Sequence, residues 1–289
     1  MLGDVMRDTI ILPEGKMARG SDVRAKIRVL EGGSGANQAM WLSENKVKVK
    51  FIARVGESDF AHYKNQFLAH NIEPILQADE NNPTGHLVTL VDYKDGERSF
   101  FTDRAANTRL SLKEIPSDIF NKIGLLQISG YAFFEPSPRK VALDLIKQAK
   151  ALNIPFSIDP ASSSFIKQVG IEKFLAWTKG ARFFFPNEEE AEILSGTSNL
   201  KEQIEILGNY FEFVIIKRAE KGAVIGTKQH GIIADVKAQK IRAIDSSGAG
   251  DGFLAGFIAV LKSGSSPKDC LINANKQGAT IATKIGGQP

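Results

Sequence analysis

Asp251 lies in the run DSSGAGDGFLAGF, a single carboxylate among Gly248, Gly250 and Gly252 where an apolar repeat begins. Phe253, Leu254, Phe257, Ile258 and Leu261 recur at the spacing of one helix face, which predicts a helix that starts out of the glycines. Glycines weaken a helix, and two readings of that cost stand. In one, the segment is a tight turn and Asp251 complements the positive end of the helix dipole. In the other, the free N–H groups of Gly248, Ala249 and Gly250 form an anion site that no side chain obstructs. A carboxylate beside a phosphate repels it, so Asp251 would then serve the other reactant, taking the proton of a hydroxyl that attacks the phosphate.

Three further segments carry polar groups in suggestive places. In EGGSGANQAMWL, Gly32, Gly33 and Gly35 permit close backbone approach to a ligand, and Asn37 offers a hydroxyl both a donor and an acceptor. In GDVMRD, Asp4 and Asp8 follow what reads as the first strand, and carboxylates accept hydrogen bonds from neighbouring sugar hydroxyls. In FFFPNEEEAEIL, Pro186 and Asn187 read as stop and cap signals. The three glutamates after them complement a helix dipole, or Asn187 and Glu190 organise the water shell of a Mg²⁺ ion. Each segment alone also reads as an ordinary turn or cap; together with an anion-type helix start they favour a site.

Such groups need a frame. From about residue 47, apolar runs alternate with amphipathic ones: VKVKFIARV then SDFAHYKNQFLAHN, GLLQIS then SPRKVALDLIKQAKALN, IPFSID then SFIKQVGIEKFLAWT, ARFFFP then NEEEAEILSG. This alternation predicts a mostly parallel sheet covered on both faces, which binds ligands beyond the carboxyl ends of its strands. Two segments break the rhythm. HLVTLVDYKDGERSFFT sets Asp95-Gly96 between alternating runs, a hairpin signal, and residues 9–29 also read as extended. They predict a small inserted sheet serving as a lid that keeps water from a phosphoryl transfer, although an ordinary edge hairpin fits the same pattern.

Composition narrows the classes. A chain of 289 residues with 43% hydrophobic content can bury a substantial core. Lys plus Arg number 37 against 33 Asp plus Glu with no basic run, so neither nucleic acid nor a membrane surface is expected as a partner. Cys270 is the only cysteine, which excludes an internal disulfide and suggests a reducing compartment. With no apolar stretch of membrane-spanning length and no signal-like start, a soluble cytoplasmic protein is the expectation. His62, His70, His86 and His230 lack zinc-ligand spacing, and neither a nucleophile elbow, a P-loop nor a dinucleotide fingerprint occurs.

Taken in order, GGSGANQA with ARVGESDFA, DRAANTRLS, PNEEEAEIL and DSSGAGDGFLAGF resemble the signatures of the ribokinase-like carbohydrate kinases, the PfkB family, over nearly the whole chain. The resemblance implies an α/β, ribokinase-like fold with a mostly parallel central sheet flanked by helices on both faces and a small β-sheet lid. Residues 1–8, 32–83 and 105–289 would form the core, and 9–31 and 84–104 the lid. It implies phosphorylation of a sugar hydroxyl by ATP with Mg²⁺. Asp251 would be the general base, and the amides of Gly248, Ala249 and Gly250 the anion hole. Asp8, Gly32, Gly33 and Asn37 would hold the acceptor. Asn187 and Glu190 would serve the nucleotide phosphates and the metal, with Lys217 and Gly222 in the nucleotide-side loop and Asn275 beside the adenine. A homodimer through the lid is also implied.

Some positions depart from the family pattern. Only Met1 and Leu2 precede Gly3, which leaves either a very short first strand or an incomplete start. Ala219 stands where a glycine is common, and Ser34 where ribokinases carry a lysine, so ribose is not singled out. The leading expectation is a kinase of a free pentose or hexose. The alternative is a nucleoside kinase, for pseudouridine or adenosine, with the same mechanism. A phosphosugar acceptor would call for cations, for which Arg24, Lys26, Arg28 and Arg104 are candidates; Arg104 is placed with the acceptor-binding residues. A non-catalytic sugar- or nucleotide-binding regulator fits less well, because a binder has no use for a general base.

Overall fold

The computed structural model describes residues 1–17, 19–95 and 97–289; Gly96 of the Asp95-Gly96 hairpin turn lies outside the described residues. Along the chain come β1 (Met6–Pro13), β2 (Ala25–Gly32), α1 (Ser34–Glu44), β3 (Val49–Gly56), α2 (Glu57–Ala69), β4 (Ile72–Asp79), β5 (Gly85–Val91) and β6 (Arg98–Asp103). There follow β7 (Leu126–Ser129), α3 (Pro136–Ala151), β8 (Phe156–Asp159), α4 (Ser163–Val169), α5 (Ile171–Thr178), β9 (Phe183–Phe184), α6 (Glu188–Ser195) and α7 (Leu200–Leu207). The last elements are β10 (Phe213–Lys217), β11 (Ala223–Thr227), β12 (Gly231–Val236), α8 (Ala249–Leu261) and α9 (Pro267–Ala282). Among the described residues no helix is long and apolar enough to cross a membrane.

The central sheet runs β12-β11-β10-β9-β8-β7 and continues into the β3-β4 pair through the first three residues. Leu2 bridges in parallel to Ile128 of β7 on one side and to Ile52 of β3 on the other. Its N–H donates to Gln127 O at 2.9 Å, and the Ile52 N–H donates to Met1 O at 2.8 Å. The first strand is thus a single short rung at the middle of the sheet. From β10 to β4 all pairings are parallel, while β11 and β12 are antiparallel. The strand order reverses at the Met1–Gly3 rung, a topological switch point, where parallel sheets open a crevice for ligands.

A period of two in the apolar runs buries both faces. Phe183 and Phe185 join one core with Phe51, Trp41, Phe257 and Leu271, under α1, α2, α8 and α9. Phe184, between them, joins the opposite core with Ile128, Phe133, Phe174 and Leu207, under α3–α7. The Phe185 and Phe257 rings meet edge to face at 5.2 Å, which ties α8 to the strands beneath it. The run SFIKQVGIEKFLAWT, one amphipathic stretch in sequence, divides at Gly170 into α4 and α5.

Four strands in the order β2-β1-β5-β6 form a separate small sheet. Its limits differ from those expected of the lid: pairing starts at Met6↔Gly32, so Asp8 and Gly32, placed in the core from sequence, are lid-sheet residues. Register decides what each face carries, because residues directly opposite share a face. Leu30, Asp8, Leu87 and Thr102 line one face; Val29, Thr9, Val88 and Phe101 line the other.

Candidate active site

Asp251 is the third residue of α8, and α1 holds its carboxylate. Ser34, Asn37 and Gln38 are spaced i, i+3, i+4 and therefore share one helix face. Oδ1 of Asp251 accepts from Ser34 Oγ at 2.8 Å and from Gln38 Nε2 at 3.0 Å, and Oδ2 accepts from Asn37 Nδ2 at 3.1 Å. Gln38 is fixed in turn: its Oε1 accepts from Gln127 Nε2 at 3.1 Å, and Gln127 Oε1 accepts from Ser157 Oγ. This chain of buried groups leaves the Gln38 amide one orientation, with N–H toward Asp251. Burial, and after it the charge of Asp159, pushes the Asp251 carboxyl up to about 7, against the pull of its three donors.

The helix start has the geometry an anion needs. Gly248 caps α8 at φ 73°, and a side chain there would strike Gly287 Cα at 2.5 Å, so only glycine fits. Among the described residues the N–H groups of Gly248 and Gly250 have no acceptor, whereas the Ala249 N–H turns back to Ser246 O at 3.2 Å. Two of the three expected amides are therefore bare, and the third is engaged in the turn.

Beside them lies a charged cluster from the carboxyl ends of β8, β9 and β10. Lys217, the last residue of β10, pairs with Asp159 at the end of β8, Nζ to Oδ2 at 3.0 Å. Burial draws the ammonium down, but the charges of Asp159 and Glu190 outweigh it and the Lys217 pKa rises. Asn187 and Glu190 form a capping box: Asn187 Oδ1 accepts from the Glu190 N–H at 2.8 Å, and Glu190 Oε2 from the Asn187 N–H at 2.8 Å. Burial raises the Glu190 pKa, opposed by Lys217. Among the described residues no three His, Cys, Asp or Glu side chains converge as direct metal ligands. With Oε2 committed to the cap, Glu190 fits a Mg²⁺ that keeps its waters better than one bound directly.

The side on which Asp8, Gly32 and Asn37 were expected to hold an acceptor is acidic. Asp8 stands against Gly32, where an added Cβ would fall 2.2 Å from Asp8 Oδ2. Burial, then the charges of Asp4, Glu31 and Asp245, pushes Asp8 up to about 7. Asp8 Oδ1 and Asn37 Oδ1 are buried acceptors without a hydrogen-bond donor, while Glu31 lies against the Tyr63 hydroxyl and 3.0 Å from His62 Nε2. Arg104 is committed to Asp4, 3.3 Å away, with its guanidinium 4.3 Å from the centre of the Tyr131 ring. Lys26 and Arg28 of β2, and Arg24 just before it, are exposed. Gly33 caps α1.

Gly222 and Asn275 meet elsewhere, at the end of β12: Asn275 Nδ2 donates to Val236 O at 3.0 Å, and a Cβ on Gly222 would lie 2.0 Å from the same oxygen. Ala219 holds φ 47°, a left-handed conformation that explains why glycine is common there. Four residues of the site were not singled out from sequence as site residues: Ser34, Gln38, Asp159 and Glu31. The i, i+3, i+4 spacing on α1 and the position of Asp159 at a strand's carboxyl end were the available signals.

Known proteins share this fold. All 289 residues, 1–289, match the family described as pfkB family carbohydrate kinase. Over 267 residues the chain is 25% identical to the ribokinase of Staphylococcus aureus (strain COL), covering 89% of this chain and 83% of that protein. The adenosine kinase structure from Sinorhizobium meliloti superposes with a TM-score of 0.87 at 19% identity, over 100% of this chain and 94% of that one. An E. coli structure solved in complex with ATP and Mg²⁺ gives a TM-score of 0.86 at 20% identity, over 99% and 92% of the two chains.

Proposed function

Because the chain belongs to the pfkB family of carbohydrate kinases, we propose that it transfers the γ-phosphoryl group of ATP to a hydroxyl of an uncharged sugar, a pentose or a hexose. The observation that carries this reading is the buried Asp251 carboxylate, held by Ser34, Asn37 and Gln38 beside the bare amides of Gly248 and Gly250. Asn37 occupies one position on Oδ2, which leaves the rest of that oxygen for the acceptor hydroxyl. The hydroxyl proton passes to Asp251, the acceptor oxygen attacks the γ-phosphorus, and the anion hole receives the charge on the transferring group. A pKa near 7 suits a base that works at neutral pH. Asn187 and Glu190 would hold the water shell of Mg²⁺, whose charge offsets that of the phosphates when it is bound.

The acidic acceptor side supports an uncharged substrate. Asp8, Glu31 and Asp245 give the site a negative character, and Arg104, placed with the acceptor-binding residues from sequence, is paired with Asp4. A phosphorylated acceptor would meet repulsion. Hydroxyls instead supply the donors that Asp8 Oδ1 and Asn37 Oδ1 lack. The outer face of the lid sheet supports a homodimer as partner, and the lone buried thiol of Cys270 is in keeping with a cytoplasmic setting.

A coupled ADP-release assay with Mg·ATP against sugars, sugar phosphates and nucleosides tests this reading. Turnover is expected with an uncharged sugar, and Asp251→Asn should lower it at least ~100-fold while keeping ligand binding. Turnover unchanged in that variant would sink the mechanism; selective turnover of a nucleoside would replace the substrate class.

A further inference from the structure

The polar line behind Asp251 has a direction, and one backbone carbonyl fixes it. Gln127, the second residue of β7, sets its amide nitrogen 3.2 Å from the Ile128 carbonyl oxygen, a group that can only accept. The atom facing that oxygen is therefore the nitrogen, and its other N–H donates to Gln38 Oε1 at 3.1 Å. Gln38 must then present its own nitrogen to the far side, where it donates to Asp251 Oδ1 at 3.0 Å and to Ser34 Oγ at 3.0 Å. Because the Ser34 oxygen accepts from Gln38, its hydroxyl proton is directed to Asp251 Oδ1 at 2.8 Å. The Ser157 hydroxyl closes the other end by donating to Gln127 Oε1. Every N–H of the two amides is thus used, and with Gln38 0% and Gln127 3% exposed, water does not compete for them. Reversing either amide would set oxygen against oxygen, at Ile128 or at Asp251. Apolar side chains would fill the same space between α1 and the sheet at a lower desolvation cost, so packing alone does not call for this pair.

We propose that Gln127 is a positioning residue for the base: through Gln38 and Ser34 it aims two donors at Oδ1 of Asp251, and so leaves Oδ2 as the oxygen that takes the acceptor's proton. Among the described residues only Asn37 hydrogen-bonds to Oδ2. The assignment rests on the kinase reading above and deepens it. In the step the acceptor O–H bond breaks, its proton joins Oδ2, and its electron pair forms the bond to the γ-phosphorus. The bond from the γ-phosphorus to the ADP oxygen breaks, and that pair leaves with ADP. The amides exchange no proton; their oriented N–H groups stabilise the carboxylate before reaction. Other groups also bear on Asp251: Asp159 of β8 raises its pKa, and Lys217 of β10 and Tyr131, just beyond β7, each feel its charge. A change at Gln127 leaves these groups in place, which makes the relay separable from them.

Gln127→Met keeps the length of the side chain and removes the anchor. The double variant Gln127→Met/Ser157→Ala also removes the hydroxyl that would lose its acceptor, and thermal melts verify that both fold. Two readouts run from pH ~5 to ~9: turnover with the acceptor that the ADP-release assay identifies, and titration of the Asp251 carboxyl by NMR of ¹³C-aspartate-labelled protein, its signal assigned by its loss in Asp251→Asn. With its donors weakened, Asp251 ionises only at higher pH. The carboxyl titration and the acid limb of kcat should therefore move up together by about one unit, which lowers turnover ~10-fold on that limb and lets it recover as pH rises. A loss of equal size at every pH, or a carboxyl titration that stays in place in a folded variant, would mean that Gln127 only packs the core, and either result overturns the assignment. If the wild type turned over no acceptor, the kinase reading would fall, and the carboxyl titration alone would decide whether Gln127 acts on Asp251.

Discussion

Two aspartates in this molecule titrate near neutrality for related but separable reasons. Asp251 is raised by burial and by Asp159, and three donors work against that rise. Asp8 is raised by burial and by the surrounding carboxylates, and its Oδ1 has no donor at all. A carboxyl whose folded pKa lies above its unfolded value contributes stability that is fully present below the unfolded value, 3.8, and is lost as pH rises through about 7. In the unliganded protein Asp8→Asn should therefore raise the melting temperature more at pH ~8 than at pH ~5. Differential scanning fluorimetry across that range checks the sign; an equal gain at both values would show that Asp8 is not the titrating group. The same variant should bind acceptor poorly, a trade of function against stability.

At the scale of the element, α8 shows why a helix would begin in glycine. Gly248 must be left-handed to turn the chain into the helix, but Gly250 is under no such constraint and has open space where its side chain would be. Lys217 Nζ, at 3.6 Å, is the nearest atom to that space, an ordinary contact distance. Gly250→Ala should accordingly fold well and gain up to ~1 kcal/mol from helix propensity. Its methyl group would occupy the place of the phosphoryl group, so turnover should fall at least ~100-fold. A thermal melt and the ADP-release assay on one preparation read both effects; retained turnover would mean that phosphate does not approach that face. The α1 face contributes in the same way, since Ser34, Asn37 and Gln38 can reach one carboxylate only because a helical period aligns them.

For the whole molecule, the lid sheet presents an outer face that the protein itself leaves uncovered. Ile27 and Val29 are each 63% exposed and Phe101 60%, on the face opposite to that of Asp8. An apolar, unpaired surface of this kind suits association with a second copy. Light scattering after gel filtration should give a dimer that Val29→Glu converts to monomer; a monomeric wild type at assay concentration would discard the dimer. Because the two faces are set by register, this substitution reaches the outer face without touching Asp8.

The sequence by itself determined the frame and where along it the chemically suggestive groups lie. A period of two in FFF and FVIIK, a period near 3.6 after the glycines, and ordered motifs are local properties, and they specified a sheet buried on both faces with Asp251 at a helix start. Only tertiary structure decided which groups meet. Ser34, Gln38, Gln127 and Ser157 come from separate elements of the chain, and nothing local announces that they form one line of hydrogen bonds to Asp251. Lys217 and Asp159 are 58 residues apart, and their pairing depends on β8 and β10 ending at the same side of the sheet. The Ala249 N–H, expected in the anion hole, turns to Ser246, because the turn into α8 satisfies its own backbone where it can. Spacing is carried by covalent geometry and survives in a linear reading, whereas proximity across strands is created by packing and exists only in the folded chain.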